Sequence, residues 1–170
     1  MKTKLIERTA DISECGTWRY ELRRRWNLNL PSMLVIMLNP STADHRRDDQ
    51  TIRRVWKRAS HSGHGELIVG NLGAGRSFNP YTWMRMEDPI GPRNNDVLES
   101  LLYEAHRNQS TVVVGWGAHG AFMQRDDWFL AAAKRAKVTL YCYEHTRKRF
   151  PRHPLYIADS KQLELYRKVE

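Results

Sequence analysis

Met33-Leu34-Val35-Ile36-Met37-Leu38 runs directly into Asn39-Pro40-Ser41-Thr42-Ala43-Asp44, and this junction decides the fold. An unbroken apolar run of this length, closed by turn residues, reads as a strand buried on both faces. Pro40 forbids simple continuation of the strand, and Ser, Thr and Asp can then cap a helix. In open α/β sheets the carboxyl ends of the strands are where ligands bind. Asn39 is therefore expected at the mouth of a sheet.

Working outward, residues 17–26 (TWRYELRRRW) alternate Trp18, Tyr20 and Leu22 with Arg19, Glu21 and Arg23. A period of two predicts an edge strand or hairpin arm. Residues 48–61 open with acids and place Ile52, Val55, Trp56 and Ala59 at helical spacing. Asp48 and Asp49 suit the N-terminus of that helix, and capping ranks above metal binding for both. A second apolar strand, 67–70, ends in Asn71 and the flexible segment Leu72-Gly73-Ala74-Gly75-Arg76. Residues 94–107 predict an amphipathic helix capped by Asn or Asp. A third strand, 111–114, runs into Gly115-Trp116-Gly117-Ala118-His119. An Ala-rich helix over about 126–136, a fourth strand over 138–143, a basic loop and a closing helix over 159–168 complete the pattern.

Strands alternating with helices across short polar loops predict a parallel sheet covered on both faces. The expectation is one α/β domain over residues 1–170, three layers α/β/α around a mainly parallel four-stranded sheet. Asn39, Asn71, the Trp116/His119 turn and His153 are expected to converge on one edge. Strand order is not readable.

The composition is globular, with 41% hydrophobic and 10% aromatic residues. No segment has the apolar length of a transmembrane helix, and residues 1–15 lack the core of a signal peptide. Cys15 and Cys142 have no metal-ligand spacing, so unpaired thiols in a cytoplasmic, monomeric protein are expected. Lys and Arg total 28 against 19 acids, a net charge of +9. The clusters Arg23-Arg24-Arg25, Arg46-Arg47, Arg53-Arg54 and Arg147-Lys148-Arg149 suit phosphate geometry, so nucleic acid ranks ahead of a charge surplus kept for solubility.

Familiar catalytic signatures are absent: no P-loop, no HExxH, no paired CxxC and no GxSxG. Gly73-Ala74-Gly75 lacks the third glycine and downstream acid of a dinucleotide fingerprint. No metal or cofactor is expected. Asn39 and Asn71 each pass as turn residues alone, but two asparagines at two strand ends suit reading a base edge or orienting a water. His153, in RKRFPRHPLY, is held between two prolines in an Arg-rich loop. His119 reads as packing or capping, while Trp56, Phe78 and Trp83 are candidates for stacking on a base or for the core.

These motifs, in order, resemble those of the uracil-DNA glycosylase superfamily. Met37-Leu38-Asn39-Pro40-Ser41 resembles its water-activating motif, and 67–72 followed by Arg76 the strand whose Asn reads the flipped base. Residues 112–119 are similar to its apolar strand ending in Trp-Gly. Arg152-His153-Pro154-Leu155 resembles the loop whose His stabilises the leaving base and whose apolar residue wedges into the duplex. The whole chain, through YELRRRW, MLNPSTAD and DDQTIRR, also resembles a bacterial and phage family of unknown function, DUF1643.

The resemblance implies a uracil-DNA-glycosylase-like fold and hydrolysis of the bond between a base and deoxyribose in DNA. Asn39 and Asp44 would then handle the water and His153 the departing base. Pro40, Ser41, Asn71 and Trp116 would line the base pocket. Arg76, Arg147, Lys148, Arg149, Arg152, Leu155 and Tyr156 would engage DNA. Asn39 replaces a carboxylate, which Asp44 could supply if the turn folds back. Ser41 stands where the uracil-specific branch has Tyr, which implies room for a modified pyrimidine, in phage defence or in repair. Two rivals stay open: a nucleic-acid-binding module without chemistry, and a glycosidase acting on free nucleosides or nucleotides.

Overall fold

A computed structural model describes residues 6–166 of the chain. Its elements in order are β1 (Glu7–Ile12), β2 (Arg19–Arg25), β3 (Ser32–Met37), α1 (Gln50–His61), β4 (Glu66–Asn71), α2 (Pro80–Trp83), α3 (Asn94–Arg107), β5 (Thr111–Val114), α4 (Arg125–Arg135), β6 (Leu140–Cys142) and β7 (Glu164–Leu165). The apolar run at 33–38 forms β3 in the middle of the sheet. It pairs in parallel with β4 on one side and β5 on the other.

The sheet is mixed and, among the described residues, seven-stranded, in the order β1-β2-β4-β3-β5-β6-β7. The four strands expected from sequence occupy its centre and run parallel. The expectation of a four-stranded sheet is corrected at both edges. β1 and β2 form an antiparallel hairpin that continues antiparallel onto β4, and β7 pairs antiparallel with β6. Neither edge strand has an apolar run to announce it: β1 is half exposed, and β7 has two exposed residues.

Alternation along β3 splits the core in two. Leu34 and Ile36 pack with Leu98, Leu101 and Leu102 of α3 and with Phe129 and Ala132 of α4. Met33, Val35 and Met37 face the other way, onto Ile52, Val55 and Ala59 of α1. Opposite faces of one strand thus bury against different helices, as a period of two requires. Gly70 of β4 lets α3 close on the sheet; a Cβ there would lie 2.9 Å from Leu98 Cδ2.

Two further local expectations are corrected. The segment expected as a closing helix contains β7 instead, and residues 167–168 of that range lie outside the described residues. No side chain caps α3, whose N-cap residue is Arg93. Asn94 is buried and donates to the carbonyls of Asn71 and Leu72 at 3.1 Å each, serving the end of β4 rather than its own helix.

Much of the arginine surplus is consumed internally. Arg23 bonds Glu21 and reaches Glu104 of α3 at 2.7 Å. Arg24, fully buried, bonds Asp48 at 2.8 Å. Arg25 pairs with Glu7 and Glu66, and Arg54 bonds the Ile157 carbonyl. The Arg23-Arg24-Arg25 cluster therefore joins sheet to helices and is not a phosphate-facing stripe.

Candidate functional site

At the carboxyl ends of the parallel strands lies a cavity of about 520 Å³. Met37, Leu38, Asn39 and Ser41 enter it from the end of β3, and Trp116, Gly117 and His119 from the end of β5. Asp49, Gln50, Thr51 and Ile52 come from the start of α1, and Thr146, Arg152, His153, Leu155 and Tyr156 from the loop after β6. Arg19 of β2 also lines it, and Ser77, Phe78 and Pro80 close one side. The convergence of Asn39, the Trp116/His119 turn and His153 matches the sequence expectation.

Asn39 is half-buried and oriented. Its Nδ2 donates to the Ser77 carbonyl at 2.7 Å and to Pro40 O at 3.1 Å. Oδ1 is the acceptor end left for a ligand or water. Pro40 itself does not line the cavity; its carbonyl accepts from Asn39 and from the Ser77 amide.

Asp44, expected to supply the missing carboxylate, stays outside the cavity. Its Oδ1 accepts the amides of Arg46 and Arg47 at 2.7 and 2.8 Å, and these bonds hold its pKa down. It closes its own turn. The carboxylate in the cavity is Asp49, whose Oδ1 caps α1 by accepting Ile52 N–H at 2.9 Å. The capping role was legible in the sequence. The cavity role was not, because it depends on the angle at which α1 meets the sheet.

His153 precedes the short 3-10 turn Pro154–Tyr156 and accepts the Leu155 amide on Nδ1 at 3.3 Å. An acceptor Nδ1 places the proton of the neutral ring on Nε2. Burial pushes its pKa down to about 4, against a weaker opposing pull from Asp49. At neutral pH His153 is a neutral imidazole with Nε2–H as its free donor. Gly115 permits this placement: a Cβ there would lie 2.7 Å from Pro154 Cδ.

Asn71 departs from its expected place. It is buried beneath the site, its Oδ1 accepts from Arg19 Nη2 at 3.4 Å, and its Nδ2 has no partner. Trp116 presents part of its ring to the cavity but is otherwise core, edge-on to Phe129 and Tyr166. Arg76 donates to the carbonyls of Gly16, Ser41 and Thr42, so its guanidinium holds loops together. Arg147, Lys148 and Arg149 do not line the cavity but stand exposed on the loop that carries His153. Arg152 reaches both the cavity and Glu144, at 2.8 Å.

Of the aromatic candidates, Trp83 is core and Trp56 packs edge-on against Trp26. Phe78 is 88% exposed and Tyr156 68% exposed, and both line the cavity. His119, expected to pack, lines the cavity and also packs edge-on against Tyr81.

Cys142, His145 and Glu164 form the one His/Cys/acid group, among the described residues, compact enough for a metal ion. Sγ lies 3.7 Å from both ring nitrogens of His145, while Nδ1 bonds Glu164 at 2.6 Å. Sγ also donates to Glu164 Oε1, at 3.9 Å. Burial, with Glu164 beside it, drives the Cys142 thiol up to about 12. The trio is linked by hydrogen bonds among all three side chains, and through Cys142 and Glu164 it fastens β7 to β6. Both cysteines are unpaired, as expected.

A family model described as a protein of unknown function (DUF1643) matches residues 19–155, most of the chain. The chain belongs to that family. The DUF1643 match runs from Arg19 to Leu155 and takes in every residue of the cavity wall except Tyr156. No curated protein matches this DUF1643 member. Among solved structures it is similar to a hetero-hexameric glutamate dehydrogenase from Thermus thermophilus in its leucine-bound form, at 11% identity and a TM-score of 0.35. That similarity covers 79% of this chain and 31% of the other, so the chain spans under a third of that protein. Among the described residues, no helix is long and apolar enough to cross a membrane.

Proposed function

We propose that this protein is a DNA N-glycosylase of the uracil-DNA-glycosylase type, acting on a flipped-out and modified pyrimidine. The observation that carries the reading is the single cavity in which Asn39, Asp49 and a neutral His153 meet under exposed aromatic rings. Enzymes that act on a base remove it from the stack and hold it in a pocket.

In the reaction the bond between C1′ and the base nitrogen breaks, and its electron pair leaves with the base. Water supplies the oxygen that bonds to C1′. Asn39 Oδ1 accepts a hydrogen bond from that water, and the Asp49 carboxylate takes its proton. His153 Nε2–H donates to the departing base, where negative charge develops. The base then takes a proton from solvent. Asp49 replaces Asp44 in this role because it is the carboxylate that reaches the cavity. The cavity of about 520 Å³ exceeds what a bare pyrimidine ring fills, and Ser41, a small side chain in its wall where the resemblance implies a Tyr in the uracil-specific branch, supports a ring bearing a bulky substituent.

The basic loop at 147–149 and Arg152 supply phosphate contacts, with Leu155 and Tyr156 at the edge of the stack. The test is mass spectrometry of bases released from DNAs carrying unmodified, deaminated, hydroxymethylated and glycosylated pyrimidines. A base should be released by the parent protein, and about 10²–10³-fold more slowly by His153→Ala. A protein that binds these DNAs and frees no base is the binding module instead, and release from free nucleosides alone points to a small-molecule glycosidase.

A further inference from the structure

We infer that Arg19 is the residue of this cavity that binds an anionic, electron-rich group of the ligand. Within the glycosylase reading, on which this rests, that group is the pyrimidine ring as it leaves with the bonding electron pair.

Arg19 opens β2, is 2% exposed, and nonetheless lines the cavity. Its guanidinium is poorly used. Nη1 donates to the Ala43 carbonyl at 2.9 Å, Nη2 reaches Asn71 Oδ1 only at 3.4 Å, and Nε has no partner. Its neighbour beneath the site, Asn71, also has an unpartnered buried donor in Nδ2. Burial draws the Arg19 pKa down to about 10, which leaves it cationic at neutral pH. Asp49 and Asp44 act on it from beyond ion-pair distance, while Arg24 and Arg76 oppose them.

Burying a charge without an ionic partner is costly. A second buried arginine of the same strand shows the alternative. Arg24, also on β2 and fully buried, is closed by Asp48 and by carbonyls of the 44–47 turn. The fold therefore satisfies one buried arginine with a carboxylate and leaves the other, which lines the cavity, without one. An anionic acceptor entering the cavity supplies what Arg19 lacks. The departing pyrimidine has that character, with its charge spread over ring nitrogen and carbonyl oxygen. His153 Nε2–H and the Arg19 guanidinium then share the developing charge.

The test compares two free rings at neutral pH by calorimetry on the full chain: barbiturate, a pyrimidine monoanion, and neutral uracil. The parent should bind barbiturate at least about tenfold more tightly, the discrimination of one charge-assisted hydrogen bond. Arg19→Gln should abolish that preference, and Arg19→Lys should retain part of it because the charge remains. Equal binding of both rings by the parent, binding of neither, or an unchanged preference in folded Arg19→Gln overturns the inference. Should Arg19→Gln not fold, the parent's own preference and its reduction in Arg19→Lys decide. Base release from DNA is scored separately: release without anion preference removes only the role of Arg19, and anion preference without release removes only the glycosylase reading.

Discussion

The Leu155 amide donates to Nδ1 of His153 at 3.3 Å, which turns Nε2 of the same ring toward the cavity as a proton donor. Burial holds that ring neutral down to about pH 4. Nitrogen-15 NMR should therefore report the Nε2–H tautomer, unchanged from about pH 8 to about pH 5. A ring that titrates near its ordinary value of 6.5 contradicts this geometry.

The same shift has a consequence for stability. An unfolded His153 takes up its proton near pH 6.5, whereas the folded ring resists until about pH 4. Between those values the unfolded chain binds more protons, so stability falls as pH falls through that window. His64, buried and also shifted down, acts in the same direction and is present in any His153 variant. Urea unfolding of the parent and of His153→Gln should diverge between pH 7 and pH 4.5. The parent should lose on the order of 2 kcal/mol more.

Asp49 caps α1, and in the proposed reaction it also takes the proton of the water; a pair of substitutions separates the two. Asp49→Ala removes the cap on Ile52 N–H and should cost about 1 kcal/mol of stability. Asp49→Asn keeps a good capping side chain and removes only the carboxylate. It should melt close to the parent yet release base at least about 10²-fold more slowly. If Asp49→Asn works at the parental rate, the water is activated elsewhere.

How much of this was legible in the sequence follows from what each residue depends on. The apolar runs of β3, β4 and β5 announce themselves because strands buried on both faces need no partner information to be read. β1 and β7 were hidden because edge pairing is written in the partner's unpaired backbone, not in the strand's own side chains. The site divides similarly. Asn39 and His153 sit where a strand or a proline-bounded loop ends, which local sequence states. Asn71 has the same local signature, yet it is buried under Arg19 because Asn94 of α3 and Arg19 of β2 close over the end of β4. Asp44 and Asp49 are five residues apart in one loop, and only the packing of α1 decides which one reaches the cavity.

Gly115 links the end of β5 to the histidine loop. A methyl group there would lie 2.7 Å from Pro154 Cδ and 3.0 Å from its Cγ. Gly115→Ala should push the Pro154–Tyr156 turn outward and cost about 1–3 kcal/mol by overpacking. Because His153 moves with that turn, base release should fall by more than the loss of stability explains, measured well below the melting temperature. A variant with parental release and a parental His153 NMR signal contradicts the coupling.

Phe78 gives the sharpest separation of binding from folding. Its ring is 88% exposed on the cavity rim, so it contributes little to the core. Phe78→Ala should change unfolding free energy by no more than about 0.5 kcal/mol, as exposed substitutions do. A base stacked on that ring gains about 1–3 kcal/mol. Affinity for single-stranded or flipped-base DNA should therefore weaken by about 5- to 150-fold in fluorescence anisotropy. Raising the salt concentration should weaken parent and variant in parallel, because stacking and phosphate contact are independent contributions and only the second releases counterions. Equal affinity of parent and Phe78→Ala for such DNA would remove the aromatic rim from the binding surface and leave the exposed basic loop at 147–149 to account for binding alone.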